Sequence, residues 1–384
     1  SAHAEDPAPG AHHKVPCKKA ADKTYDLYVP KAYAAGTDRK FPVVFISTPN
    51  ARQTFYFLES WAERNGVLLV CINDSKNGPW ADIQKCQDAV IDSVEQTLRV
   101  HPCLRFAMGM SGAASASLFM AVHAPDKHAG VLLMCHSGAG QVAPKHVCVA
   151  FIYGGKDDTQ PPAGIEASYN THKTKGCPVR KLLVPDRGHE DATTPEIEVM
   201  LDWMLGLARL THPKLTPDEQ KAAKEVVLKR IQACAELKAP EERIKEVQLL
   251  LDLPKVDLWP ESKPLAGIWL ASQLEAAKTI NDAVSKHNSL MEALENPLAL
   301  KCSAAEQSAV KKELDELRKQ PACKKEWEAR EMFKRIAQME TLAGKNKTKL
   351  AEAAQAYAAI ATRCADTKAG KEAAAAAKRL GDVK

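Results

Sequence analysis

No stretch of this chain stays apolar for the length needed to cross a bilayer, so a transmembrane segment is not expected. Its eleven cysteines include no C-x-x-C pair, and no Cys/His spacing matches a zinc ribbon or finger. That leaves no basis for expecting a metal or an organic cofactor. An excess of charge of one sign is missing too: 53 Lys and Arg against 48 Asp and Glu leave a net +5. The lysines are interspersed with glutamates rather than gathered with aromatics, which make up 5% of the chain, so a nucleic-acid partner is not expected. What remains is a globular chain, 45% hydrophobic and 26% charged, whose 384 residues suffice for two domains.

The first residues, "SAHAEDPAPGAHHKVPC", are small and polar, as in the segment that follows a removed signal peptide. Residues 1–20 are therefore expected to be flexible, and the protein to be secreted or periplasmic. Eleven cysteines are many for a cytosolic chain, so some disulfides are expected. Cys71, Cys135 and Cys148 lie in apolar, strand-like runs that suit buried thiols. Cys302 with Cys323, or Cys234 with Cys364, would bridge helices, and the odd total leaves at least one cysteine unpaired.

The organisation changes once along the chain. Up to about residue 210, apolar runs such as "FPVVFI", "GVLLVCI", "RFAMGM", "GVLLMC", "VCVAFIYG" and "VRKLLVP" alternate with amphipathic segments. Continuous apolar strands need cover on both faces, which predicts a doubly wound, mostly parallel sheet over residues 21–211. Helices are predicted at 82–100, 112–124, 161–175 and 195–210. After "THPKL" the pattern is helical only, starting at Thr216-Pro217-Asp218-Glu219, where threonine caps, proline fills the first turn and Glu219 closes a capping box. Residues 212–384 are expected to form an all-α domain, a bundle or an array. Its last 34 or so residues resemble the closing helix pair of a tetratricopeptide-like repeat, with no second copy upstream.

One short stretch carries chemistry. "RFAMGMSGAASASLFM" starts as a strand, turns through glycines around Ser111 and continues as a helix. Gly109-Met110-Ser111-Gly112-Ala113 is a G-x-S-x-A form of the nucleophile elbow, whose small flanking residues let strand and helix pass closely. A serine hydroxyl attacks at neutral pH only if a base takes its proton and a carboxylate orients that base. Both follow in chain order. "VAFIYG" runs into "GKDDT", placing Asp157 and Asp158 past a strand end, and "KLLVP" runs into "DRGHED", placing His189 on the next loop with Gly188 to aim it. Asp157 is preferred to Asp158 by its offset from the strand.

Together, "YDLYVPKAY", "FPVVFI", "QDAVIDSVEQTLRVHP", "GMSGAASASLFMAVHAPDKHAG", "FIYGGKDDTQPP" and "VPDRGHED" resemble secreted α/β-hydrolase esterases grouped with polyhydroxybutyrate depolymerases and feruloyl or acetyl-xylan esterases. The resemblance covers slightly over half the chain. It implies an α/β-hydrolase domain, a carboxylic ester substrate of the polyester or plant-polysaccharide and phenolic type, Ser111 as nucleophile, Asp157 as acid and His189 as base. One departure stands out. Where the family has His-Gly after its first central parallel strand, this chain has "STPNARQT", and Pro49 has no N–H to offer an oxyanion. The donor expected from this loop is the backbone of Thr48 or Ala51, with Gly112 as the other. Trp80, just past a strand end, is a candidate to stack on a substrate ring; Cys135-His136-Ser137-Gly138 also follows a strand and is either a pocket lining or, preferably, a loop with a satisfied histidine. The helical domain is expected to supply cell-surface attachment, a lid or a surface for a protein partner. The alternatives are a hydrolase-like scaffold that binds without turnover, and a peptidase or acyltransferase that uses the same triad.

Overall fold

The computed structural model describes residues 7–33, 38–50, 55–253, 256–344 and 346–381. These fall into two compact units, one drawn from Ser1–Lys229 and Leu251–Asp257, the other from Arg230–Leu250 and Leu258–Lys384. The first unit runs β1 (Gly10–Cys17), β2 (Ala20–Val29), β3 (Phe41–Ser47), α1 (Glu59–Asn65), β4 (Leu68–Ile72), α2 (Trp80–Thr97), β5 (Val100–Met110) and α3 (Gly112–His123). It continues through β6 (His128–Met134), β7 (Cys148–Gly154), α4 (Pro162–Thr174), β8 (Val179–Val184) and α5 (Thr194–Thr211).

All eight strands join one sheet in the order β1-β2-β4-β3-β5-β6-β7-β8. β1 and β2 pair antiparallel, as do β2 and β4, and every other neighbouring pair is parallel. This is the doubly wound α/β-hydrolase architecture. Strand alternation divides the core between two faces. Phe106, Met108, Ala150 and Ile152 pack with α1 and α5 through Trp61, Ile197 and Met204. Val131, Val149, Phe151 and Tyr153 pack on the other face with Leu118 of α3 and Ile165 of α4. Because both faces are covered, the parallel strands need apolar residues at every position.

The N-terminus departs from the expected flexible segment 1–20, since Gly10–Cys17 is an edge strand. Its polar residues face solvent or a single buried acid. Asp26, fully buried, accepts from the Lys14 N–H (2.8 Å) and the Asn73 Nδ2 (2.8 Å), and its other oxygen meets His13 Nδ1 at 3.0 Å. The expected disulfides are absent as well: all eleven cysteines are free and buried. Cys71, Cys103 and Cys148 fill one face of the sheet, Cys17 and Cys86 the other, and Cys364 the helical core, each as a small hydrophobe.

The expected capping box forms at α6 (Pro217–Ala233), where Thr216 N–H donates to Glu219 Oε2 (2.8 Å) and Glu219 N–H donates to Thr216 Oγ1 (3.2 Å). The division between units falls inside α6, later than the switch of sequence pattern near residue 212. Leu215 still belongs to the first unit's core, and Glu219 pairs with His101 at 3.0 Å. The pattern marks a change of secondary structure, whereas the unit boundary follows packing.

The second unit contains α7 (Pro240–Leu251, its last residue counted with the first unit), α8 (Pro264–Lys278), α9 (Ala283–Glu295), α10 (Ala304–Leu317), α11 (Pro321–Ala343), α12 (Lys347–Arg363) and α13 (Lys368–Gly381). Side chains start several of these helices: Asp282 caps α9, Ser303 and Glu306 box α10, and Asn346 caps α12. Buried Glu326 of α11 accepts from the Lys368 and Ala369 N–H groups, which places a carboxylate on the N-terminus of α13. α11, α12 and α13 share one core around Ala329, Tyr357, Ile360 and Ala373. Among the described residues no helix is long and apolar enough to cross a membrane.

Candidate active site

The site forms where the parallel strands end. β5 stops at Met110, and the chain reverses through Ser111 at φ 52°, ψ −132°, outside the regions an L-residue prefers. Two features hold that turn. The Ser111 N–H donates to the Met134 carbonyl at 2.9 Å, and the Ala114 N–H donates to the Ser111 carbonyl at 2.9 Å. Gly109 is required two residues earlier, because a Cβ there would collide with the Ala113 carbonyl. The turn leaves the serine hydroxyl at the N-terminus of α3, where free N–H groups and the helix dipole favour negative charge.

β7 delivers the acid. Asp157 follows the strand end at 3% exposure, and its Oδ1 accepts from the Thr159 N–H (3.0 Å) and the Gln160 N–H (2.7 Å). Asp158 is exposed and, among the described residues, meets only Thr159 Oγ1, at 3.5 Å. The base arrives from the loop after β8, which crosses close over the end of β7. A Cβ on Gly154 would collide with the Arg187 and Gly188 carbonyls, while the Gly155 and Lys156 N–H groups donate to Val184 and Arg187 at 2.9 Å each. The glycines that seat His189 are thus those at the end of β7. Gly188, expected to aim the histidine, has ample room for a Cβ and no left-handed backbone.

His189 closes the chain of hydrogen bonds. Its Nδ1 lies 2.9 Å from Asp157 Oδ2 and its Nε2 3.0 Å from Ser111 Oγ. With Nδ1–H donating to the carboxylate, Nε2 keeps its lone pair for the serine proton.

The oxyanion side differs from expectation at Thr48. Its N–H donates to Ser75 Oγ at 3.2 Å and its carbonyl accepts from the same hydroxyl at 3.0 Å, so Thr48 has no free donor. Ala51 lies outside the described residues. The loop after β3 is pinned by Asn77, whose N–H donates to the Pro49 carbonyl at 2.9 Å. Among the described residues the N–H groups of Asn50 and Gly112 meet no acceptor, one on each of the two segments where donors were sought.

A cavity of about 560 Å³ opens between that loop and the segment after His189. Ile46, Met108, Met110 and Met134 line its interior, with Asn50 and Asp191 among the polar lining residues. Trp80 is not among the lining residues. It starts α2 with its ring edge-on to Phe119 at 4.2 Å. The triad side chains are not themselves among the cavity's lining residues, which reach the nucleophile through Met110, the residue before Ser111; a second cavity of similar volume is lined by residues of α2 and α3 such as Gln87 and His123.

Cys135, read from the sequence as a buried thiol that also opens a segment able to line the pocket, lies beside the triad. It turns the chain after β6 at φ 50°, and its thiol donates to the Glu190 carbonyl at 3.3 Å, next to the base. Burial, and then the Asp157 carboxylate, pushes this thiol up to about 11, so it stays protonated at neutral pH. Cys135, Asp157 and His189 bring ligating atoms within 4.8 Å of one another, the one such group among the described residues. Each of those side chains is already engaged within the site. Nearby, His136 faces Ser115 Oγ at 3.1 Å and accepts from the Gly138 N–H at 2.9 Å; burial and then the neighbouring His189 hold it below its ordinary value.

No protein-family model and no curated protein matches this chain. Solved structures similar to it include a thermostable esterase (13% identity, TM-score 0.34), with 43% of this chain covering 51% of that one. A truncated carbohydrate esterase from gut microbiota has 14% identity and TM-score 0.40, over 53% of this chain and 99% of the other. The fluorophosphonate-binding serine hydrolase FphF of Staphylococcus aureus has 11% identity and TM-score 0.40, over 52% and 99%. The chain thus spans about half the length of the thermostable esterase. Likeness at this level concerns the fold, so any assignment of activity rests on the geometry around Ser111.

Proposed function

We propose that the first unit is a serine hydrolase acting on carboxylic esters through an acyl-enzyme. The observation that carries this reading is the unbroken chain Ser111–His189–Asp157, with both links at 3.0 Å or less. In this mechanism His189 Nε2 takes the Ser111 proton as Oγ attacks the ester carbonyl, and Asp157 stabilises the imidazolium that forms. The Gly112 and Asn50 N–H groups receive the oxyanion, helped by the N-terminus of α3. Collapse transfers the proton from His189 to the leaving alcohol. Water, deprotonated by the same histidine, then releases the acid and restores Ser111.

The test is hydrolysis of a short-chain activated ester, together with fluorophosphonate labelling. Ser111→Ala and His189→Ala are expected to lose about 10⁴-fold or more in kcat, and Asp157→Asn about 10³–10⁴-fold, with unchanged melting temperatures. Ser111→Ala should also lose the label. A panel of esters and peptides separates esterase from peptidase, since both reactions share the tetrahedral intermediate. The commitment of the Thr48 N–H to Ser75 favours a second reading, a hydrolase-like scaffold that binds without turnover. Absence of both label and turnover in the wild type would establish that alternative.

A further inference from the structure

The cavity beside the nucleophile has a largely apolar interior, in which the buried Ser47 hydroxyl is a polar group without a protein partner. Its floor is Ile46, Met108 and Met134, exposed by 2%, 0% and 7%, and Met110, the residue before Ser111, stands in the wall. Beyond Ser47 at the end of β3, the polar side chains, such as Asp191, belong to the loops that frame it, and Asp191 is itself exposed. A cavity of about 560 Å³ lies within the usual range for small-molecule pockets. Three methionines are a particular choice of lining. Their unbranched, polarizable side chains adjust to a flexible guest, whereas a rigid ring is better held by fixed aromatic walls, of which this lining has one, the exposed Phe57. The carboxylate of Asp191 at the rim opposes a substrate ending in a free acid.

We propose that this cavity is the specificity pocket of the reaction and takes an unbranched alkyl chain of the ester, ending in a methyl group rather than a charge or a phenolic ring. The assignment rests on the serine-hydrolase reading above. It narrows that reading from carboxylic esters in general to aliphatic ones. The same chain chemistry is available on the acyl side or the alcohol side of the scissile bond, and two substrate series distinguish them.

The experiment measures kcat/KM for p-nitrophenyl acetate through octanoate, for ethyl through octyl acetates, and for p-nitrophenyl benzoate. Burial of each added methylene predicts a rise of about fourfold in one of the two aliphatic series until the pocket is full. Benzoate is expected to do no better than acetate. The series that rises identifies which side of the ester occupies the cavity. Ala192→Trp, at the half-buried rim, is expected to cut the longest-to-shortest ratio at least tenfold, and Met134→Ala to move the optimum to longer chains. Wild type that takes the fluorophosphonate label yet shows two flat series, or variants with unaltered profiles, would overturn the pocket assignment and leave the serine-hydrolase reading standing. Loss of labelling and turnover in the wild type removes the parent reading, and the pocket assignment with it.

Discussion

At the scale of the residue, the site depends on which N–H groups are left without acceptors. Proline at 49 removes one donor from the loop after β3, and Ser75 occupies the donor of Thr48. Asn50 is then the first described residue beyond Pro49 whose N–H is unengaged. Its main chain can therefore be separated from its side chain by mutation. Asn50→Ala keeps the N–H and is expected to keep kcat within a few-fold, whereas Asn50→Pro removes it and should lower kcat by about 10²–10³-fold, the usual effect of one oxyanion donor. Steady-state kinetics with melting temperatures check this; equal activity of the two variants would place the donor elsewhere. The triad itself was legible in the sequence, because order and strand-end position are local properties of "GMSGA", "GKDDT" and "DRGHED". Which N–H groups the loop after β3 leaves unengaged was not legible, since the engagement of Thr48 depends on a hydroxyl 27 residues away. Cys135 was legible in part: its place after a strand marked its segment as a candidate lining, but its contact with Glu190 depends on the crossing of the His189 loop.

At the scale of the element, the parallel strands and their helices were readable because continuous apolar runs and helical periodicity coincide with real burial. The predicted helix at 161–175 is α4 (Pro162–Thr174), and that at 195–210 is α5 (Thr194–Thr211). β1 was not readable. "GAHHKVPC" lacks alternation because its order comes from Asp26 on the neighbouring strand, with Lys14 at φ 50° and a register shift between His12 and Val15. Asp26 is fully buried and is surrounded by the Lys14 N–H, the His13 ring and the Asn73 amide, so replacing it leaves the Lys14 N–H without its acceptor and the Asn73 amide with Thr24 Oγ1 alone. Asp26→Ala is expected to cost about 3 kcal/mol in urea unfolding and to open residues 10–17 to limited proteolysis. Because β1 is an edge strand on the far side of β2 from β4, ester turnover at low temperature should persist. Loss of turnover together with retained stability would mean that β1 acts on the site and not merely on the sheet edge.

At the scale of the whole molecule, buried histidines tie stability to pH. Burial holds His128 down to about 4, and burial with the neighbouring His146 holds His212 down to about 4. Burial also depresses His136, His172 and His287. Each remains neutral in the native state below the pH at which the unfolded chain, with its ordinary value near 6.5, takes up a proton. The unfolded state therefore binds more protons across this interval, and unfolding free energy falls as pH drops from about 6.5 to about 4. For His128 alone the full interval is worth about 3 kcal/mol. Carboxylates such as Glu95, Glu196 and Glu295, lowered by their Arg and Lys partners against the opposing effect of burial, act later. Their contribution is complete above the ordinary carboxylate range and is lost only as pH falls below it. Urea midpoints at pH 7.5, 6.0 and 5.0 should consequently decline before the carboxylates begin to titrate, and His128→Gln should make that decline shallower. A midpoint that stays level down to pH 5 would mean that these histidines gain protons in the native fold, by local opening, about as readily as in the unfolded chain.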